Sequence, residues 1–187
     1  MKILVTYATR HGATRGIAER IAQAMERNGL DVTLKSVDEA TAVDQYDAFV
    51  IGGAAYMGHW LEAATRFVKR NRSLLAERPV WLFSSGPIGT DRVDAKGRDV
   101  LEASIPEEFP EFADAIHPRD QRIFFGSYDP DAEPIGLMER IGSLFTRMPA
   151  VREALPAGDF RDWPQIEAWA NGIAGELKRV EVAVAPA

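Results

Sequence analysis

The sequence predicts an α/β fold, a three-layer sandwich in which a five-stranded parallel sheet in strand order 2-1-3-4-5 lies between two layers of helices. Two observations predict it: five short apolar runs, and stretches of helical periodicity that alternate with them. Strands that alternate with helices usually pair in parallel and are covered on both faces. Right-handed crossovers leave few topologies, of which this order is the simplest.

The five predicted strands are short runs rich in apolar and β-branched side chains. They are residues 2–7, 31–37, 47–52, 80–85 and 122–127. The second run alternates apolar and polar side chains, as is typical of a strand near a sheet edge.

Three predicted helices repeat apolar residues with a period of 3.6. The first covers residues 14–28 and is followed by Gly29 at the position of a C-cap. The second runs from about 60 to 77 and is ended by Pro79. The third begins after Asp162, whose side chain is suited to an N-cap.

The 187 residues fit one domain. We expect it to span residues 1–181, with a tail at 182–187. Residues 86–121, between strands four and five, are too long for a simple connection and form an insertion. Part of it, 99–114, carries six acidic and no basic residues. We leave open whether the insertion is a solvated loop with a short helix, or a lid or partner-facing insertion.

Composition excludes several classes of protein. The chain has no cysteine, so disulfides, cysteine-ligated metal centres and thiol nucleophiles are ruled out. Its three histidines are isolated, and no metal site is predicted. The net charge of −6 argues against nucleic-acid binding. No apolar run approaches the ~20 residues of a membrane span, and a cytoplasmic location is expected.

The loop after the first predicted strand has the chemistry of a phosphate site. It reads TRHGAT over residues 9–14 and leads into a helix, whose first N–H groups attract anions. Gly12 permits a tight turn, and Thr9 and Thr14 supply hydroxyl groups. Arg10 and His11 add further donors. The alternative is structural, with Thr14 as an N-cap and Thr9 as a turn residue.

Small residues follow the third and fourth predicted strands. The first of these loops reads GGAAYMGHW over 52–60, and the second reads SSGPIGT over 84–90. Small side chains would let a flat ligand approach the backbone, and Tyr56 and Trp60 would cover a ring face. Alternatively, both aromatic side chains pack against the protein. Together the three loops favour a mononucleotide that carries a planar ring.

These residues resemble a known family. The stretch VTYATRHGAT at 5–14 is similar to the first-strand pattern of the flavodoxin-like FMN-binding family, although Thr6 replaces the usual apolar residue. Three further stretches resemble its quinone-dependent protoporphyrinogen oxidase, or dehydrogenase, branch. They are ATRHGATRGIAERIA (8–22), VIGGAAYMGHWLEAATRFVKRN (50–71) and FRDWPQIEAWA (160–170).

The resemblance implies non-covalently bound FMN. It places the phosphate on Thr9, Arg10, His11, Gly12, Ala13 and Thr14. It places the isoalloxazine ring between two loops, Ala54, Ala55, Tyr56, Met57 and Gly58 on one side and Ser84, Ser85, Gly86, Pro87, Ile88 and Gly89 on the other. No catalytic side chain is required, because the cofactor carries the chemistry. His59 is suited to shuttle a proton, or it simply packs beside the second helix.

The resemblance also implies the partners, a porphyrinogen-like substrate and a quinone acceptor. Five basic and two acidic residues in the first 30 positions favour an anionic substrate. Two alternatives stay open: an electron-transfer flavodoxin that serves redox protein partners, and a flavin-free binding domain. Residues 135–148 have one apolar face, which fits core packing or a peripheral contact with the inner membrane.

Overall fold

Apolar strands with few interruptions build the centre of the molecule. The computed structural model describes residues 1–129 and 157–184. The strands are β1 Lys2–Ala8, β2 Asp31–Ser36, β3 Ala48–Tyr56, β4 His59–Trp60, β5 Val80–Ser85, β6 Asp120–Phe124, β7 Ser127–Tyr128 and β8 Gly158–Asp159. The helices are α1 Ala13–Arg27, α2 Glu62–Arg70, α3 Arg72–Ala76, α4 Phe109–Ile116 and α5 Trp163–Val184.

The main sheet has five parallel strands in the order β2-β1-β3-β5-β6. This confirms the predicted strand order. The last two strand numbers are higher than predicted only because the short strand β4 takes a number of its own. β4 pairs antiparallel with the end of β3. A separate two-stranded ribbon joins β7 to β8.

Two apolar clusters make the fold three-layered. One lies between the sheet and helices α1 and α5, and it includes Ile17, Phe83 and Ile173. The other lies between the opposite face and helices α2, α3 and α4, and it includes Phe67 and Phe112. Successive side chains of a strand point to opposite faces, so the apolar runs of β1, β3 and β5 serve both clusters.

Two predicted elements need correction. The helix expected over 60–77 is instead β4 followed by α2 and α3, which are separated at Asn71. The Asn71 amide donates to the Phe67 carbonyl at 2.9 Å, so the side chain competes with the backbone hydrogen bonds of the helix. The strand expected over 122–127 is β6, which begins at Asp120 and ends at Phe124.

The insertion at 86–121 contains helix α4 and a single 3-10 turn, Glu102–Ser104. Helix α5 continues to Val184, three residues into the predicted tail. Residues 135–148 lie outside the described residues. In the ranges 1–129 and 157–184, no helix is both long and apolar enough to cross a bilayer.

Thr6 is fully buried in β1. Its hydroxyl has no hydrogen-bond partner among the described residues. A buried hydroxyl without a partner lowers the stability of the folded protein. The threonine that stands here in place of the usual apolar residue is therefore expected to destabilise the fold.

Candidate functional site

Three loops meet at the carboxyl edge of the sheet. In the strand register, Ala8 lies beside Gly53, and Ala54 lies beside Ser85. The loops that follow β1, β3 and β5 are therefore neighbours. Ligands of open parallel sheets bind at this edge, next to the point where the strand order reverses.

The loop after β1 is shaped by Gly12. This residue precedes α1 with φ 84° and ψ −10°, in the left-handed region that favours glycine. Its N–H donates to the Thr9 hydroxyl at 3.0 Å. Apart from its chain neighbours, no atom of residues 1–129 or 157–184 would lie within 4 Å of a Cβ at Gly12, so this part of the chain leaves open space next to the turn.

The start of α1 carries the features that an anion requires. The N–H of Gly16 donates to the Gly12 carbonyl at 3.0 Å, so the preceding N–H groups, at Ala13, Thr14 and Arg15, have no acceptor within the helix. Among the described residues no side chain caps this end, and the first turn contains no acidic residue. These donors, at the positive end of the helix dipole, fit a phosphate group.

Thr14 faces the sheet. Its hydroxyl forms a buried hydrogen bond of 2.8 Å with the hydroxyl of Ser85, and both residues are buried. The N-cap is Gly12 without a side-chain bond, which excludes the interpretation of Thr14 as an N-cap. Only one of the two hydroxyl protons is used in the bond between them. The pair links α1 directly to the end of β5.

Two glycines predicted to face a ligand instead face aromatic side chains of the protein. A Cβ at Gly52 would overlap the ring of Phe83, and a Cβ at Gly53 would lie 2.5 Å from Nε1 of Trp60. The Trp60 indole is buried and donates to the Gly53 carbonyl at 3.0 Å. Trp60 therefore packs inward, and the interpretation of this side chain as a ring cover is wrong.

A two-residue hairpin follows β3. Met57 and Gly58 have φ of 52° and 84°, as in the type I′ turns that join antiparallel strands. The Met57 side chain is 99% exposed. Tyr56 is 38% exposed, and the Arg10 guanidinium lies 4.8 Å from the centre of its ring. The first and second loops are thus in contact.

The third loop is tied to its neighbours. Ser84 is buried, and its hydroxyl has no partner among the described residues. A Cβ at Gly86 would lie 3.3 Å from the Cβ of Ala55, so the second and third loops approach closely there. The Pro87 carbonyl accepts the N–H of Gly126 at 2.8 Å. This bond links the loop to the segment after β6.

The predicted cofactor residues fall into two groups by exposure. The buried ones are Thr14, Ala54, Ser84 and Ser85. The partly or fully exposed ones are Thr9, Arg10, His11, Gly12, Ala13, Ala55, Tyr56, Met57, Gly58, Gly86, Pro87, Ile88 and Gly89. The exposed group belongs to the three loops that follow β1, β3 and β5.

Sequence reasoning missed two charged residues near this edge. Arg161 donates from Nη1 to the Ala13 carbonyl at 3.2 Å, in the first turn of α1. Hydrogen bonds from the Arg161 guanidinium hold the pKa of the Asp159 carboxyl below its ordinary value. Glu108 contacts His59 and Trp60 in the hairpin. Separations of 148 and 48 residues left no local sequence signal for these contacts.

A parallel sheet whose first strand leads through a glycine turn into a helix, with an exposed aromatic hairpin at the switch point, is typical of a domain of the flavodoxin type. The sequence pattern of the flavodoxin domain matches residues 4–127, and the chain belongs to this family. Flavodoxin domains bind flavin, usually FMN, and fit an oxidoreductase or electron-transfer role.

Curated relatives add a more specific likeness. The chain is 33% identical over 86 residues to protoporphyrinogen IX dehydrogenase [quinone] of Escherichia coli strain K12, and equally to that of strain O157:H7. The aligned part covers 45% of this chain and 48% of the relative. The chain thus spans about half the length of the curated relatives it matches.

Solved structures share the fold. The flavodoxin of Streptococcus pneumonia TIGR4 superposes with a TM-score of 0.55 at 14% identity, over 94% of this chain and 99% of that one. A cysteine-to-serine mutant of the flavodoxin of Pseudomonas aeruginosa gives 0.54 at 16% identity, over 95% and 99%. Rubredoxin oxygen:oxidoreductase of Desulfovibrio gigas gives 0.57 at 14% identity, over 95% and 36%.

Proposed function

We propose that this protein is an FMN-dependent oxidoreductase of the protoporphyrinogen dehydrogenase type, which passes electrons from a porphyrinogen-like substrate to a quinone. The observation that carries FMN binding is the uncapped start of α1 beside the open turn at Gly12. The partial likeness to the Escherichia coli enzyme supports the choice of substrate and acceptor.

The phosphate of FMN would lie on the loop after β1. Backbone N–H groups from Ala13 to Arg15 point toward this space, and each hydrogen bond to a charged acceptor contributes about 1.5–3 kcal/mol. The side chains of Thr9, Arg10 and His11 stand at the same turn. If Ser85 donates in the hydrogen bond between the two hydroxyls, the Thr14 hydroxyl proton would be available to donate to the phosphate.

The ring would lie along the second and third loops, Ala54–Gly58 and Ser84–Gly89. Tyr56 is the exposed aromatic side chain there, and Arg10 is stacked on it. Because aromatic rings stack favourably in offset or edge-on geometry, Tyr56 is suited to pack against a flavin. The close approach of Gly86 to Ala55 holds the two loops together beneath it.

Bound FMN would supply the two-electron chemistry of dehydrogenation. The chain positions it and places charge around it. Arg10 adds positive charge beside Tyr56, which favours anionic groups such as the carboxylates of a porphyrinogen. His59, exposed on the hairpin, is the side chain that we assign to proton exchange with the substrate.

One observation favours a second function, electron transfer to a protein partner. Met57 protrudes fully into solvent from the hairpin, and the N–H of Glu107 bonds to the neighbouring Gly58 carbonyl at 2.9 Å. An exposed apolar tip beside acidic residues is a surface on which a basic redox protein would dock.

A titration followed by a turnover assay tests the proposal. Purified apoprotein titrated with FMN should quench the flavin fluorescence at a 1:1 ratio. The loaded protein should then oxidise protoporphyrinogen anaerobically with a menaquinone analogue as acceptor. Electron delivery to a redox protein but not to the quinone would favour the carrier function. Failure to bind FMN would leave a flavin-free binding domain.

A further inference from the structure

The carboxylate of Glu108 bridges two consecutive residues of the hairpin. Its Oε1 lies 3.2 Å from Nδ1 of His59, and its Oε2 accepts the backbone N–H of Trp60 at 2.9 Å. The Glu108 side chain is 18% exposed. The next bond along, from the N–H of Glu107 to the Gly58 carbonyl, measures 2.9 Å. Glu107 and Glu108 are thus hydrogen-bonded to Gly58, His59 and Trp60, which form the second half of the hairpin.

The pairing that forms the hairpin is short. β4 contributes two residues to the pairing with β3. Met57 and Gly58 both adopt positive φ, which is uncommon for a side chain such as methionine. Within the part of the chain that the structure describes, Met57 is almost fully exposed. Glu108 and the buried Trp60 indole both hold the end of the return strand in place.

Pairing in the hairpin also sets the direction of His59. Tyr56 and His59 are directly opposite each other in the antiparallel pair. Opposite residues of such a pair have their side chains on the same face. The imidazole of His59 therefore lies on the Tyr56 side of the hairpin, the side that Arg10 also contacts.

Glu108 also decides which nitrogen of His59 carries the proton. An ionised carboxylate only accepts hydrogen bonds, so Nδ1 must be the donor. In the neutral ring, Nε2 is then the unprotonated nitrogen, free to accept a proton. Oε2 of the exposed Glu107 lies 3.9 Å from Nε2, beyond hydrogen-bond range.

We propose that Glu108 is a positioning residue, which holds the Tyr56 hairpin in place and presents Nε2 of His59 as a proton acceptor at the flavin edge. The inference rests on the proposed function for the identity of the ligand. The two hydrogen bonds of the Glu108 carboxylate are properties of the apoprotein and can be tested without it.

Two variants separate the two contacts. Glu108→Ala removes both hydrogen bonds. Glu108→Gln keeps a carbonyl oxygen that can accept the Trp60 N–H, but its NH₂ group can only donate to Nδ1 of His59, so the proton must move to Nε2. Glu107→Gln is the matched control, since it changes the neighbouring charge and leaves the Glu108 carboxylate intact.

The first measurement uses the apoprotein. Nitrogen NMR at a pH of about 9, where an ordinary imidazole is neutral, should show His59 protonated at Nδ1 in the wild type and in Glu107→Gln, and at Nε2 in Glu108→Gln. Hydrogen exchange of the Trp60 amide should be unchanged in Glu108→Gln and at least tenfold faster in Glu108→Ala. Wild-type protonation at Nε2, or unchanged exchange in Glu108→Ala, would overturn the inference.

The second measurement uses FMN. Glu108→Ala should raise the FMN dissociation constant at least tenfold. Glu108→Gln should keep the dissociation constant within about twofold and shift the midpoint potential, which a purely structural brace would not do. If the wild type binds FMN and all variants share its affinity and midpoint potential, the positioning role of Glu108 is wrong and the proposed function still stands. If the wild type binds no FMN, the proposed function fails and the NMR result decides the Glu108 contacts.

Discussion

The guanidinium carbon of Arg10 lies 4.8 Å from the centre of the Tyr56 ring, so a cation of the first loop rests on the aromatic side chain of the second. The two residues are 46 positions apart in the sequence and meet because β1 and β3 are neighbours in the sheet. The contact joins the proposed phosphate site to the proposed ring site.

Replacing the tyrosine tests that junction. Tyr56→Ala removes both the stacked ring and the cation–π contact, which at an exposed site contributes about 0.5–1 kcal/mol. We expect weaker FMN binding and a shifted flavin absorption spectrum. Tyr56→Phe keeps a ring for Arg10 and should retain most of both. A spectrum of Tyr56→Ala identical to that of the wild type would place the side chain away from the flavin.

Gly12 has a matched control at the other end of α1. Gly12 and Gly29 have φ of 84° and 79°, and at either position a Cβ would have no described atom within 4 Å beyond those of its chain neighbours. Alanine at each should therefore cost a similar ~1–2 kcal/mol of folding free energy through backbone strain. Only Gly12→Ala should also weaken FMN binding, by tenfold or more, because its methyl group enters the phosphate space. Equal FMN affinity of the two variants in a fluorescence titration would contradict the site.

The Thr14–Ser85 pair should contribute to both stability and binding. Thr14→Val keeps the shape of the side chain but leaves the buried Ser85 hydroxyl without its partner, so we expect a loss of about 1–3 kcal/mol in urea unfolding. Ser85→Ala with Thr14→Val removes both partners and should restore part of that loss. Thr14→Ser should bind FMN nearly as well as the wild type, whereas Thr14→Val should bind it more weakly. Additive effects of the two substitutions would mean that the hydroxyls do not interact.

Asp159 predicts a pH dependence of stability. Hydrogen bonds from Arg161 lower the pKa of this carboxyl in the folded protein relative to its ordinary 3.8. Its contribution is therefore fully present above pH 3.8 and is lost as the pH falls through the lower folded value. Below about pH 4, the wild type should lose unfolding free energy more steeply than Asp159→Asn. Parallel curves for the two proteins in acid would show that the ion pair does not stabilise the fold.

The sheet order and the glycine turn before α1 could be predicted because their signals are local. The apolar runs that form β1, β3 and β5 are continuous in sequence, and Gly12 stands where a strand leads into a helix. The type I′ turn was missed because its usual signature is Asn-Gly or Asp-Gly, whereas this chain has Met57-Gly58.

Contacts between distant segments could not be predicted from the sequence. The bonds of Glu108 to the hairpin and of Arg161 to α1 join residues far apart along the chain. Glycines at 52 and 53 suggest space for a ligand. The sequence does not show, however, which neighbouring side chain fills the space beside a glycine. Here Phe83 and Trp60 occupy it.

The contact between Gly52 and Phe83 has an evolutionary consequence. No side chain fits at position 52 while the phenylalanine keeps its place, so neither residue is free to change alone. In homologous chains, a larger residue at the first position should be accompanied by a smaller one at the second. The two positions should therefore vary as a pair.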